Sequence, residues 1–131
     1  MSGSRTILAF GTFDGIHKGH LYFLHQARLL GSRLIVALAR DETVRTLKHR
    51  EPRQPESDRL ACIQALPDVA EAILGDLILD SFQTVVRVHP DVIAIGHDQT
   101  LLREHLEQWL KHQKKKPEMI VISKCEGETG I

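Results

Sequence analysis

"TILAFGTFDGIHKGHLYFLHQARLLGSRLIVALA", residues 6–39, sets two short apolar runs around one amphipathic segment. The runs, TILAF at 6–10 and LIVALA at 34–39, are too short for helices and apolar at nearly every position. That is the pattern of strands buried on both faces of a sheet. Between them, HLYFLHQARLL places Leu21, Leu24, Ala27 and Leu30 on one helical stripe, with Gly31 positioned to cap its end. Strand, helix and strand in this order make a β-α-β unit, whose two strands run parallel.

The rest of the chain repeats the alternation. Asp41 is expected to cap a short helix through Leu47, followed by a polar loop over 48–58 interrupted by Pro52 and Pro55. Ser57 is expected to cap a helix carrying Leu60, Ile63 and Leu66 and ending at Pro67. Strands are expected at 69–74, 91–96 and 118–123, with helices at 80–89 and 100–112. The expectation is an α/β fold, a Rossmann-like parallel sheet with helices on both faces. With 131 residues the chain can close one core but not two, so residues 1–131 read as a single domain.

Seventeen basic residues balance seventeen acidic ones, so no global field attracts nucleic acid and any anion site must be built locally. Cys62 and Cys125 have no C-x-x-C spacing, which argues against a zinc knuckle or a disulfide framework. Cys62 shares a stripe with apolar neighbours and is expected to be packed. The apolar run ending at Gly11 is too short for a signal peptide or a membrane span, so a cytoplasmic location with no membrane contact is expected. Residues 1–4, containing Ser-Gly-Ser, read as a tag remnant.

In open parallel sheets, ligands bind beyond the carboxyl ends of the strands. Those ends carry GTFDGIHKGH at 11–20, ARDETV at 39–44 and GHDQT at 96–100. Gly11 lets the chain leave the first strand sharply, and Gly15 and Gly19 leave room for a ligand. His17 and His20, three apart at the start of a helix, share one face. The N–H groups and dipole of a helix start attract phosphate, and two imidazoles add hydrogen-bond donors there. Neither G-x-x-x-x-G-K-[ST] nor the dinucleotide glycine pattern is present, which disfavours a kinase or an ordinary dehydrogenase. No third ligand with recognisable spacing accompanies the two histidines, which argues against zinc held by the protein.

Several of these residues have plainer roles open to them. Asp14 can be a turn residue, Asp98 the N-cap of the following helix, and Arg59 an exposed ion-pair partner. Lys48, beside His49, Arg50 and Arg53, can belong to a solvated loop. Leu102, Leu106 and Trp109 are expected in the core or at a subunit contact. His105 and His112 are expected on a solvated helix face, and Lys114–Lys116 at a solvated helix end.

The H-x-G-H element within GTFDGIHKGH resembles that of the cytidylyltransferase-like nucleotidyltransferases. ARDETVRTLK, REPRQPESDR, AILGD and DVIAIGHDQT are similar to segments of the archaeal-type FAD synthases, in order over about residues 5–123. This resemblance implies transfer of AMP from ATP to FMN with release of pyrophosphate. It also implies Mg²⁺ on the phosphates and a homodimer. His17, His20 and Lys48 would be catalytic, and Gly11, Thr12, Phe13, Asp14, Gly96 and Asp98 would bind nucleotide with the histidines. Arg59 and Lys124 would face nucleotide or acceptor. CTP-dependent transfer to glycerol 3-phosphate or a similar phospho-alcohol shares the same frame. The family closes its site with a Ser/Thr-rich turn and a final helix, which KCEGETGI at 124–131 does not reach. The expectation is that this closing part is omitted; its genuine loss would instead leave a non-catalytic, nucleotide-binding regulatory module.

Overall fold

A computed structural model describes residues 4–124. Five parallel strands form one sheet: β1 (Thr6–Gly11), β2 (Arg33–Leu38), β3 (Glu71–Leu74), β4 (Val92–Gly96) and β5 (Glu118–Ile122), in the order β3-β2-β1-β4-β5. Helices connect them: α1 (Lys18–Arg28), α2 (Asp41–Lys48), α3 (Glu56–Gln64), α4 (Gln83–Val88) and α5 (Thr100–Leu110). The expected α/β architecture is therefore observed, with strands where the apolar runs lie.

Strand alternation divides the core into two layers. Ile7 and Ala9 of β1, with Leu34 and Val36 of β2, face Leu24 and Ala27 of α1 and Ile63 of α3. Leu8, Ile35 and Ile93 face the other way, against Phe82, Val85 and Leu106. Trp109 packs on this second layer, its ring 5.6 Å from that of Phe82. Truncating a fully buried side chain such as Leu24 or Ile93 to alanine would cost about 2–5 kcal/mol.

Some local expectations are corrected. Leu21 is exposed, and Phe23 packs on the core in its place, with Leu30 packing there from just past the helix, as expected. The C-cap of α1 is Leu29 in a right-handed conformation, two residues before Gly31. Asp41 is the first helical residue of α2 rather than its cap, because Arg59 holds its carboxylate at 2.7 Å. Its own N–H donates to Glu56 Oε1 at 2.7 Å, so the start of α2 is capped from another helix. Pro55, not Ser57, stands at the N-cap of α3, and its carbonyl accepts from the Asp58 and Arg59 N–H groups. Cys62 is exposed, on the outer side of α3.

The ladders at the switch point position everything that follows. β1 pairs with β2 from Thr6↔Arg33 to Gly11↔Leu38, but its pairing with β4 stops at Ala9↔Ala94. Beyond Ala9 the two central strands part, and a crevice opens at their carboxyl ends. Gln99 spans it: its amide donates to the Phe10 carbonyl at 2.9 Å and its oxygen accepts from Gly96 N–H at 2.8 Å.

Candidate active site

The glycine-rich stretch leaves β1 under steric constraint. Phe13 adopts φ 52, left-handed for a bulky residue, and its ring is buried over the strand end. A Cβ on Gly11 would lie within 2.4 Å of that ring, so only glycine fits beneath it. Gly15 has φ +94, a conformation that side chains rarely adopt. Backbone strain of this kind persists only where surrounding contacts hold it, and it concentrates at ligand sites.

His17 and His20 cap α1 with each other. Gly19 N–H donates to His17 Nδ1 at 3.1 Å, and His17 N–H donates to His20 Nδ1 at 3.3 Å, a capping box built from two imidazoles. The rings stack with centroids 3.8 Å apart, and Phe13 meets His20 edge-on at 5.1 Å. A ring nitrogen that accepts a hydrogen bond carries no proton, so each neutral ring holds its hydrogen on Nε2. Folding thus sets both tautomers as well as both ring positions.

The segment after α2 is tied to this loop. Asp14 accepts from Arg53 N–H at 2.7 Å, Gln54 N–H at 2.9 Å and the Arg50 guanidinium at 3.2 Å, and its side chain is only 4 % exposed. Burial alone would push its carboxyl up, but these three donors outweigh burial and hold the pKa below 3.8. Arg59 is fully buried. It donates to the carbonyls of Gln54 at 3.0 Å, Thr12 at 3.0 Å and Ala39 at 2.7 Å, and to Asp41 at 2.7 Å. Burial likewise pushes Asp41 up, yet the Arg59 hydrogen bond, the Glu56 N–H and the charge of Arg59 bring its pKa below 3.8.

A cavity of about 430 Å³ occupies the crevice. It gathers Gly11, Thr12, Phe13, His17, His20, Lys48, Gly96 and Asp98, all expected from the sequence. Asp14 and Arg59 do not line it; they lie behind it and fasten its loops together. For Arg59 this replaces the expected position facing nucleotide or acceptor, because its donors are taken up by the protein itself. Asp98 does not cap α5, whose N-cap is Gln99. Lys124 is exposed past β5 and lines none of the cavities described. Cys125 and the closing turn lie outside the described residues. Among the described residues, no group of three or more His, Cys, Asp or Glu side chains is placed to hold a metal ion.

The sequence assigned no individual role to Tyr22, Phe23, His97, Gln99, Ile122 or Ser123, which also line this cavity. The glutamine stands at an ordinary strand-to-helix junction, and only the parting of β1 and β4 gives it a role. Nor did the sequence show a second cavity, about 290 Å³, on the other side of Gln99. Its walls are mostly apolar, from Ala37, Leu38, Leu47, Ile78, Leu79, Phe82, Leu101 and Leu102. Phe10, Gly11 and Gln99 belong to both cavities.

Comparison with known proteins agrees with this geometry. Residues 8–126 match the cytidylyltransferase-like family. The FAD synthase of Thermococcus onnurineus is 41% identical over 116 residues, 88% of this chain and 77% of that protein. The FAD synthase of Methanothermobacter thermautotrophicus is 46% identical over 112 residues, 83% of this chain and 73% of that protein. A crystal structure described as a lipopolysaccharide core biosynthesis protein, from Thermoplasma volcanium, superposes with a TM-score of 0.87 at 35% identity. It covers 95% of this chain and 100% of that one. With its H-x-G-H pair capping the helix after β1, in the crevice where such a pair can meet phosphate, the chain belongs to the cytidylyltransferase-like family.

Proposed function

We propose that the protein is an ATP:FMN adenylyltransferase, a nucleotidyltransferase that makes FAD and pyrophosphate. The observation that carries this is the pair of cavities meeting at Phe10, Gly11 and Gln99. One is polar and lined by imidazoles and a lysine, as a triphosphate requires. The other is apolar, as the FMN ring requires and glycerol 3-phosphate does not. Adenylyl transfer joins two phosphates, and a shared border is where two bound substrates would bring them together. The relatives named FAD synthase support the same assignment.

In the reaction, an FMN phosphate oxygen bonds to the α-phosphorus of ATP while the bond to the β-phosphate oxygen breaks and pyrophosphate leaves in line. Positioning and charge stabilisation dominate such a transfer. His17 and His20 present Nε2–H donors to the phosphates, beside the positive end of the eleven-residue helix α1. Lys48 adds a full charge from the end of α2. Asp98, with the backbone at Gly96, belongs to the nucleoside side, together with Tyr22 and Phe23. Asp14 and Arg59 hold the loops that carry Thr12 and Lys48. Mg²⁺ is proposed to arrive on ATP and to neutralise phosphate charge. The lining offers it one carboxylate, Asp98, so phosphate oxygens would supply most of its ligands.

A homodimer and a cytoplasmic location are part of the proposal. The family resemblance supports the first, and the use of ATP and FMN supports the second. No helix among the described residues is long and apolar enough to cross a membrane. The deciding assay incubates the protein and Mg²⁺ with ATP or CTP, and with FMN or glycerol 3-phosphate, and identifies products by mass. FAD formed only from ATP and FMN is expected; CDP-glycerol would overturn the assignment, and bound nucleotide without pyrophosphate release would point to a regulatory module. Light scattering tests the dimer.

A further inference from the structure

The apolar cavity can bury a flat ring but cannot by itself orient it, because hydrocarbon walls discriminate weakly between polar and apolar edges. Two of its polar side chains are committed elsewhere. Gln99 bonds to Gly96 and Phe10, and Asp76 Oδ1 accepts from both the N–H and the hydroxyl of Thr84 at 2.8 Å. A different arrangement holds at His105. Its Nδ1 lies 3.0 Å from Asp80 Oδ1, linking α5 to the segment between β3 and α4, and both residues line the cavity. Asp80 reaches it from a left-handed backbone position, φ 60.

We propose that His105, oriented by Asp80, recognises the polar imide edge of the FMN ring, and so acts as an acceptor-specificity residue. This rests on assigning the apolar cavity to FMN. With its Nδ1 hydrogen donated to Asp80, the ring turns an accepting Nε2 to its opposite side. The imide edge of the isoalloxazine carries one N–H between two carbonyls, and that N–H is the complement. Asp80 is a positioning residue that acts through His105. The pair is about half exposed, at 45% and 50%, so it adds little to stability and variants at these positions should fold.

The test compares wild type, His105→Ala and His105→Gln with FMN and with N3-methyl-FMN, at saturating ATP and with circular dichroism to confirm folding. For His105→Ala the KM for FMN is expected to rise about tenfold, the equivalent of one hydrogen bond, while the KM for ATP stays put. Wild type should prefer FMN over N3-methyl-FMN by a similar factor, and His105→Ala should lose that preference. His105→Gln, whose amide oxygen can accept the same hydrogen, should recover part of it. Equal weakening toward both flavins, or an unaltered KM for FMN in His105→Ala, would overturn the role of His105 and leave the adenylyltransferase standing. No FAD from the wild-type protein would overturn both.

Discussion

Replacing His17 separates two roles that one imidazole combines. As the N-cap of α1 it accepts the Gly19 N–H at 3.1 Å, and as a residue lining the polar cavity it is proposed to present a donor to phosphate. His17→Ala loses both. Loss of a side-chain cap costs about 1 kcal/mol, which in a domain of this size lowers the melting temperature by roughly 3–5 °C. Loss of one preorganised donor to the transition state costs about 10²–10³ in kcat. His17→Asn divides the effects, since asparagine is among the best N-caps but its shorter side chain leaves no donor where Nε2 stood. The expectation is a melting temperature restored to near wild type with kcat still reduced about 10²-fold or more. Thermal unfolding by circular dichroism gives the first number, and pyrophosphate release at saturating ATP and FMN gives the second. A kcat close to wild type in His17→Asn would reduce His17 to a cap. Stability no better than that of His17→Ala would show that the imidazole capping box is not what starts α1.

Arg59→Met removes a guanidinium that serves three carbonyls and the Asp41 carboxylate; a loss of about 3–5 kcal/mol is expected in urea unfolding, and a loss under about 1 kcal/mol would contradict the bracing role. Asp14 and Asp41 both have pKa values held below 3.8 in the folded protein, so the unfolded chain binds protons first as pH falls. Their contribution is present above that value and lost on passing below it. Asp14→Asn should therefore be less stable than wild type at neutral pH and converge on it in acid, and parallel curves throughout would refute this. Lys48→Ala should raise the KM for ATP or lower kcat by about tenfold or more with stability nearly unchanged, since Lys48 is exposed and in no ion pair described; steady-state kinetics decide, and wild-type values would remove Lys48 from the site.

The fold was legible because buried parallel strands leave a strong trace: short apolar runs between polar punctuation, repeated five times and broken only in the third, at Glu71. Helix starts were less legible. An aspartate or serine in the right place predicts a cap, yet Asp41 was drawn away by a buried arginine and Ser57 was preceded by a proline that took the position. The part of the site on β1 and α1 could be read because its residues are contiguous in sequence. The bracing role of Arg59 could not, since its partners at 12, 39, 41 and 54 are brought together only by the fold. His105 is exposed, as its place on a solvated helix face implies, but its pairing could not be read for the same reason. Its partner Asp80 lies 25 residues away, beyond β4, in a segment whose left-handed turns no local pattern announces.

The two cavities have one structural origin. A parallel sheet of order β3-β2-β1-β4-β5 sends successive crossovers outward in both directions from β1 and β4, so no helix covers the carboxyl ends between them. The β1–β2 ladder runs on to Gly11, but the β1–β4 ladder has already stopped, and the Phe10 carbonyl and Gly96 N–H would be left without partners. A single glutamine satisfies both, and in doing so becomes a partition. On one side the histidine loop and the β4–α5 turn make a polar chamber; on the other, α2 and the segment after β3 make an apolar one. A simple phosphate-binding crevice would need only the first. The second places an apolar pocket directly against the phosphate chamber, and that adjacency suits an acceptor that is a large ring at one end and a phosphate at the other.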